Sequence, residues 1–390
     1  MIVEGYSKEL IEIEREKMTK IIAMYLPQYH ETEDNNKWWG KGFTDWTSVK
    51  TSTPLFEGHR QPRVPQNNNY YDLSKVESIK WQVDLAKKSG IYGFGIYHYW
   101  FSSNKQTLTI PAELLLEHTE IEFPFFFAWD NNSWVRTWSK FKHNTNAWSP
   151  KVDENLDEDN SNNGILAQLD YGDEKDWKVH FDYLNRFFMD DRYIKIDGKP
   201  LFIIWNYTDK DRLKKMCDYW RKLALEAGYK GLYLVNRYNP YDSLDGFDAL
   251  ITYEPMFSAW QNKNIVNRVL NKIKEHFVKE KRLTIYNYDT VWKAILKNAR
   301  KKANQDIYYG AFVSYDDSPR RGTQGKIILG GTPEKFEYYL KELVNISKQQ
   351  NKDYIFLTAW NEWGEGAYLE PDTQNGTKYL DVIRRISDER

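Results

Sequence analysis

Two glutamates three residues apart, Glu362 and Glu365, lie in the stretch "TAWNEWGEGAYLEPD" (Thr358 to Asp372), where an apolar run, "YIFLTAW", stops abruptly. A close carboxylate pair can divide acid and base work, because mutual repulsion pushes the two pKa values apart and lets one group hold a proton near neutral pH. Glycoside cleavage needs that division: one carboxyl protonates the leaving oxygen while a second group handles the anomeric carbon. On its own an E-x-x-E pair reads more readily as two solvated loop acids. Here Trp360, Asn361 and Trp363 enclose the pair, and Gly364 and Gly366 permit tight backbone, which favours the chemical reading.

Such a pair must be held by a scaffold, and short apolar runs alternate with amphipathic stretches along the whole chain. The runs predict strands at Ile21 to Pro27, Tyr92 to Trp100, Phe123 to Trp129, Pro200 to Asn206, Gly231 to Arg237, Asp248 to Pro255, Tyr309 to Asp316 and Tyr354 to Glu362. Their continuous apolar character is that of strands buried on both faces. Between them, Val76, Ile79, Val83 and Ala86 repeat at helical spacing, as do Met216, Trp220, Leu223 and Ala227. Val266, Leu270, Ile273 and Phe277 form a third stripe, and Thr332 with Pro333 caps a fourth that carries Phe336, Leu340 and Leu343. Eight such strands alternating with helices predict a single α/β domain, a (β/α)8 TIM barrel over residues 21–390 preceded by an N-terminal extension over 1–20. A doubly wound open sheet should carry a Gly-rich phosphate turn, and neither G-x-G-x-x-G nor G-x-x-x-x-G-K-[ST] occurs. Three connections, roughly 28–74, 130–176 and 316–332, exceed plain turns and are expected to wall a cleft.

In such a barrel the active site lies at the C-terminal strand ends. Those ends carry Tyr25, Gln28, Tyr29 and His30; Tyr97, His98, Tyr99 and Trp100; Trp129, Asp130 and Asn131, with Trp134 beyond; then Trp205 and Asn206, and Asn236 and Arg237. The last three carry Tyr253 and Glu254, Tyr315 and Asp316, and Trp360, Asn361 and Trp363 beside the glutamates, while Trp46, with Asp45, reaches in from the first long connection. Aromatic residues make up 16% of the chain, and many sit beside Asn, Asp, Arg or His. Flat rings stack on sugar faces and the polar groups bond hydroxyls, so these residues are read as a carbohydrate-binding lining.

Net charge points the same way. At a formal −1 with Lys and Arg dispersed, nothing favours nucleic acid or an anionic membrane, and the expected partner is a neutral oligo- or polysaccharide. The lone Cys217 excludes a disulfide within the chain or a thiolate cluster, and seven histidines include neither H-E-x-x-H nor His-x-His, so neither metal nor cofactor is expected. With no signal-like apolar segment and no run long enough to span a bilayer, the chain reads as cytoplasmic, without membrane insertion.

Together "IAMYLPQYHE", "GFTDWTSV", "YGFGIYHYWF", "PFFFAWDNNSW", "GKPLFIIWN", "YEP" and "AWNEWGEGAYLEPD" resemble the WbsX-like proteins of bacterial polysaccharide clusters. These are related to glycoside hydrolase family 99, the endo-α-mannosidases and endo-α-mannanases. The resemblance implies a metal-independent (β/α)8 glycosidase that cleaves internal α-linkages with retention. It also implies that Glu362 is a base acting on the sugar's own 2-hydroxyl, which forms a 1,2-anhydro sugar, and that Glu365 is the acid/base. Mannan-cleaving members carry a bulkier residue where this chain has Gly364, so mannose specificity does not carry over.

Two other readings stay open. WbsX-like proteins have been labelled glycosyltransferases, and a transferase or transglycosylase of O-antigen or capsular polysaccharide assembly would need a diphosphate site. "DDSPRR" (Asp316 to Arg321) is the one candidate, and it reads more readily as a salt-bridged turn around Pro319. A glycan-binding barrel without catalysis is the other. Glu254 stands as reserve carboxylate, and Glu370 before Pro371 is read as structural.

Overall fold

The computed structural model describes residues 19–135, 165–239, 246–261, 283–303 and 305–389. Eight parallel strands close on themselves: β1 (Lys20–Tyr25), β2 (Gly93–Ser102), β3 (Phe125–Trp129), β4 (Lys199–Ile204), β5 (Tyr233–Arg237), β6 (Ala249–Ile251), β7 (Ile307–Phe312) and β8 (Tyr354–Thr358). Each pairs with the next in chain order, and β8 returns to β1 with Ile21 opposite Ile355. Every expected strand is present and the architecture is the (β/α)8 barrel. β1, β4, β6, β7 and β8 end before their apolar runs do, because those runs continue into the barrel mouth, whereas β3 and β5 end where expected and β2 runs on to Ser102. Tyr315–Asp316 leaves β7 altogether and pairs antiparallel with Lys326–Leu329.

Helices pack outside. They are α1 (Val76–Lys88), α2 (Ile110–Glu117), α3 (Glu174–Phe188), α4 (Lys210–Glu226), α5 (Tyr288–Lys301), α6 (Pro333–Gln349) and α7 (Lys378–Asp388). The predicted stripes face inward: Ile79, Val83 and Ala86 on α1, Met216 and Trp220 on α4, and Phe336, Leu340 and Leu343 on α6 are buried. Thr332 caps α6 by accepting from the Lys335 N–H, with Pro333 in the first turn. The expected stripe at Val266 to Phe277 lies outside the described residues, as does most of the expected extension. Of the latter only Thr19 and Lys20 are described, and Lys20 opens β1. Among the described residues no helix is long and apolar enough to cross a membrane.

The seam between β8 and β1 carries a polar lock. The Asn361 side chain accepts from Leu26 N at 2.7 Å and donates to Leu26 O at 3.0 Å, with both residues buried. It acts as a backbone surrogate just where the parallel ladder has ended. Asn361→Ala would leave a buried N–H and C=O without partners, so a loss of about 2–4 kcal/mol is expected in urea unfolding. A loss below about 0.5 kcal/mol would mean the seam is held elsewhere.

Candidate active site

Loops after β7, β8 and β1, three neighbouring strands of the barrel, bring charged groups together. After β8, Asn361–Glu362 pairs antiparallel with Ala367–Tyr368, and the intervening turn reverses at Gly366, whose φ of +57° suits glycine. The Trp363 ring stacks on Tyr368 at 3.7 Å, which braces the hairpin. Glu362 and Glu365 therefore project from one rigid turn. From the loop after β7 comes Arg320, on the short helix Ser318–Arg321. From the connection after β1 comes Asp45, fully buried at the start of a helix over Asp45–Thr51.

One guanidinium joins all three acids. Arg320 Nε donates to Asp45 Oδ1 at 3.1 Å and Nη2 to Asp45 Oδ2 at 3.0 Å; Nη1 reaches Glu365 Oε1 at 2.9 Å and Nη2 reaches Glu362 Oε2 at 3.3 Å. Burial, followed by the neighbouring Glu365 carboxyl, pushes Glu362 up to about 8, against the pull of Arg320. Near neutral pH burial thus favours the protonated form of Glu362, the carboxyl that the resemblance casts as the base.

The remaining strand ends build the opposite wall of a cleft of about 260 Å³. Tyr99, Trp134, Trp205, Asn206, Arg237 and Tyr253 line it, as the sequence led us to expect, along with Glu362 and Glu365. Tyr253 packs on Trp205 at 4.8 Å and shares a 2.9 Å hydroxyl contact with Tyr97, while Arg237 donates to Asn206 Oδ1 at 2.8 Å. Gln28, Tyr97 and Asp130, also at the expected strand ends, line the cleft too, as do Asn132 and Arg320, which were not expected there.

Several expected binding residues instead point away, and strand alternation explains most of them. On β2, Tyr97 and Tyr99 face the cleft, so His98 and Trp100 face α3. There His98 Nε2 lies 2.8 Å from His180 Nε2 and Trp100 stacks on the His180 ring at 4.2 Å. Burial pushes His98 down to about 3, so it is a neutral packing group. After β3 the parity error repeats. Asp130 and Asn132 reach the cleft, whereas Trp129 is buried with its indole N–H on Trp100 O, and Asn131 ties the Asn206 backbone.

Others form a layer behind the glutamate turn. The Tyr29 hydroxyl donates to Asn361 O at 2.5 Å and accepts from Trp363 N at 3.0 Å; Trp46 donates to Tyr71 O and packs on Trp363. Tyr25 bonds Gln82, which bonds Glu370, and Glu370 also accepts from Tyr71 and Trp363. Trp360 is wholly buried against Phe94, and Trp363 is buried too. His30 is buried beside a separate small pocket with Trp46, Tyr70 and Asp72, and burial pushes it down to about 4.

Glu254 is sequestered by Ser258, whose N–H and hydroxyl it accepts at 3.0 and 2.6 Å. Tyr315 is buried with its hydroxyl near Asp317. Asp316 accepts from His59, Gln61 and the Ser318 N–H. Although burial alone would raise it, the His59 hydrogen bond and the Arg63 charge hold the Asp316 carboxyl below the usual range. The "DDSPRR" loop is thus a knotted turn whose arginine serves the glutamates, and among the described residues no cluster of three or more His, Cys, Asp or Glu is placed to hold a metal ion. The signal for Arg320 was available in principle: two carboxylates buried together demand a cation.

Trp129 and Trp134 should separate under truncation. Trp129→Ala should lower stability by about 3–5 kcal/mol in chemical denaturation. Trp134→Ala, at the half-buried cleft edge, should keep a near-native unfolding transition and lose about tenfold in oligosaccharide affinity by calorimetric titration. An unchanged affinity would remove Trp134 from the lining.

The fold has solved relatives. A glycoside hydrolase-like protein superposes with a TM-score of 0.56 at 14% identity, covering 95% of this chain and 94% of that one. The GH99 endo-α-mannosidase from Bacteroides thetaiotaomicron superposes with a TM-score of 0.51 at 14% identity, covering 95% and 96%. Among curated sequences, uncharacterized proteins named WxcX from two strains of Xanthomonas campestris pv. campestris, ATCC 33913 and B100, are 28% and 29% identical over 374 and 373 residues. The chain aligns over 94% of its own length but spans about half the length of these relatives. The family model described as glycosyltransferase WbsX matches residues 21–383, and the chain belongs to that family.

Proposed function

We propose that this chain is a carbohydrate-active enzyme, and specifically a retaining, endo-acting glycoside hydrolase that cuts an α-linked bacterial polysaccharide of mannose or a related sugar. The observation that carries the reading is the meeting of Glu362 and Glu365 on one guanidinium, at the C-terminal mouth of the barrel, facing a wall of Tyr97, Tyr99, Trp205 and Tyr253. A sugar ring stacked on that wall would present its anomeric carbon to the pair. Glu362 takes the proton of the sugar's 2-hydroxyl, and that oxygen attacks the anomeric carbon to give a 1,2-anhydro sugar as Glu365 protonates the leaving oxygen. Glu365 then takes a proton from a water that attacks the anomeric carbon, Glu362 returns its proton to the 2-oxygen as the anhydro ring opens, and two inversions leave the configuration retained.

The proton on Glu362 makes this assignment testable. A base must be deprotonated, so with Glu362 as base the kcat/KM of the free enzyme should rise with pH through a midpoint of about 8. A fall across the same range would exchange the roles of the two glutamates.

The family's transferase description favours a second reading, the growth of a polysaccharide from an activated sugar donor. NMR of the protein with a panel of α-linked bacterial oligosaccharides, with and without nucleotide sugars, separates the two. New reducing ends of retained configuration, reduced at least about a hundredfold in rate in Glu365→Gln and in Glu362→Gln, are the expected result. Product growth that requires a nucleotide sugar would replace hydrolysis with synthesis.

A further inference from the structure

Gly364 stands between the two glutamates, and its backbone does not require glycine: it is absent from the residues with positive φ. Space does require it. A Cβ built there would lie 2.5 Å from Arg320 Nε, 2.6 Å from Asp45 Oδ2 and 3.0 Å from Asp45 Oδ1. The missing side chain is the seat of the Arg320–Asp45 pair.

We infer that Arg320, seated on Gly364 and oriented by Asp45, is the positioning residue of the glutamate pair, and that Gly364 is the residue that admits it. Asp45 takes the Nε edge in a two-point contact, which fixes the plane of the guanidinium. Its terminal nitrogens are then aimed at the two glutamates, with the shorter contact going to Glu365. Asp45 is itself held by the Tyr29 hydroxyl at 3.2 Å, and Tyr29 also binds the backbone at Asn361 and Trp363. The clamp and the glutamate turn therefore share one support. A lysine could supply charge at Arg320 but not this planar, four-point geometry.

Other ionisable groups face the pair without replacing the clamp. Tyr29, Tyr97, Tyr99, Tyr253 and Tyr315 are all pushed up by burial and stay neutral. Burial, with the Glu365 charge adding to it, pushes Asp130 and Asp317 up, and Arg237 lies across the cleft beside Asp130. Arg320 is the cation in direct contact with both glutamates.

The inference rests on the pair being the reacting centre, but its test needs no turnover. In protein labelled with carboxyl-13C glutamate, and with resonances assigned through Glu362→Gln and Glu365→Gln, the titration of Glu362 is followed by NMR. Removing a contacting cation disfavours the charged carboxylate, so Arg320→Gln should move the Glu362 midpoint upward by at least about one pH unit. Gly364→Ala keeps the arginine in the chain and takes its seat, and should produce the same upward shift. Arg320→Lys should restore part of it, and the Arg320→Gln, Gly364→Ala double variant should shift no further than either single one. An unshifted midpoint in Arg320→Gln would overturn the clamp, and a wild-type titration in Gly364→Ala would overturn the seat. Should Arg320→Gln not fold, Gly364→Ala and Arg320→Lys carry the test alone. Absence of turnover on every sugar tried, with these shifts present, would count against the proposed activity and leave the clamp standing.

Discussion

Burying carboxylates together costs several kcal/mol for each ion unless opposite charge is built in beside them. In this barrel Asp45, Glu362 and Glu365 surround a single guanidinium. That imbalance has a chemical use. One arginine cannot stabilise three full negative charges in a low-dielectric site, so a proton is favoured in the cluster, and burial favours it on Glu362, the carboxyl least tightly bonded to the guanidinium. A solvated version of the same E-x-x-E spacing would hold no such proton. The clamp and the burial together turn two ordinary acids into a differentiated pair.

The barrel supplies the rest by dividing its mouth. The neighbouring strands β7, β8 and β1 end in the loops that carry Arg320, the glutamates and Asp45, so three segments distant in sequence meet over one short arc of the ring. The arc from β2 to β6 delivers the ring-bearing side chains Tyr97, Tyr99, Trp205 and Tyr253, together with Asp130 and Arg237. A substrate lying between the two arcs would be gripped on one side by stacking and reacted upon from the other. The hairpin at Gly366 and the Asn361 lock tie the charged arc to the end of β1, and so to the most buried part of the sheet.

Strand existence was legible in the sequence because all eight runs are apolar on both faces, and no turn or linker interrupts their alternation with helices. The same property hid the orientation of their ends. Where one face is solvated, alternation tells which residues point where; in "YGFGIYHYW" and "FPFFFAWDNN" every position is compatible with either side. Reading outward from the ends of such runs selects by residue type, which takes in His98, Trp100, Trp129 and Asn131 along with the neighbours that reach the cleft. The glutamate pair escaped this ambiguity because it sits beyond the strand, in a turn whose glycines and tryptophans restrict its conformations. Arg320 was hidden for a different reason. Its partners lie 42 and 45 residues ahead and 275 residues behind it, and a loop of Asp, Ser, Pro and Arg looks locally complete.

Perturbed acidity alone does not mark the site. Burial pushes Glu254 and Glu370 up to about 7, close to the value of Glu362. Each of those is enclosed: Glu254 spends its oxygens on Ser258, and Glu370 on Trp363, Tyr71 and Gln82. A carboxyl with its acceptor positions occupied and no path to a substrate can only be structural. Glu362 has its raised pKa and its opening onto the cleft in the same place, and that conjunction singles it out. Glu370 nevertheless contributes from behind, because it fixes the Trp363 indole and thereby the turn from which both glutamates project. The acid read as structural from its place before a proline is thus part of what holds the glutamate pair still.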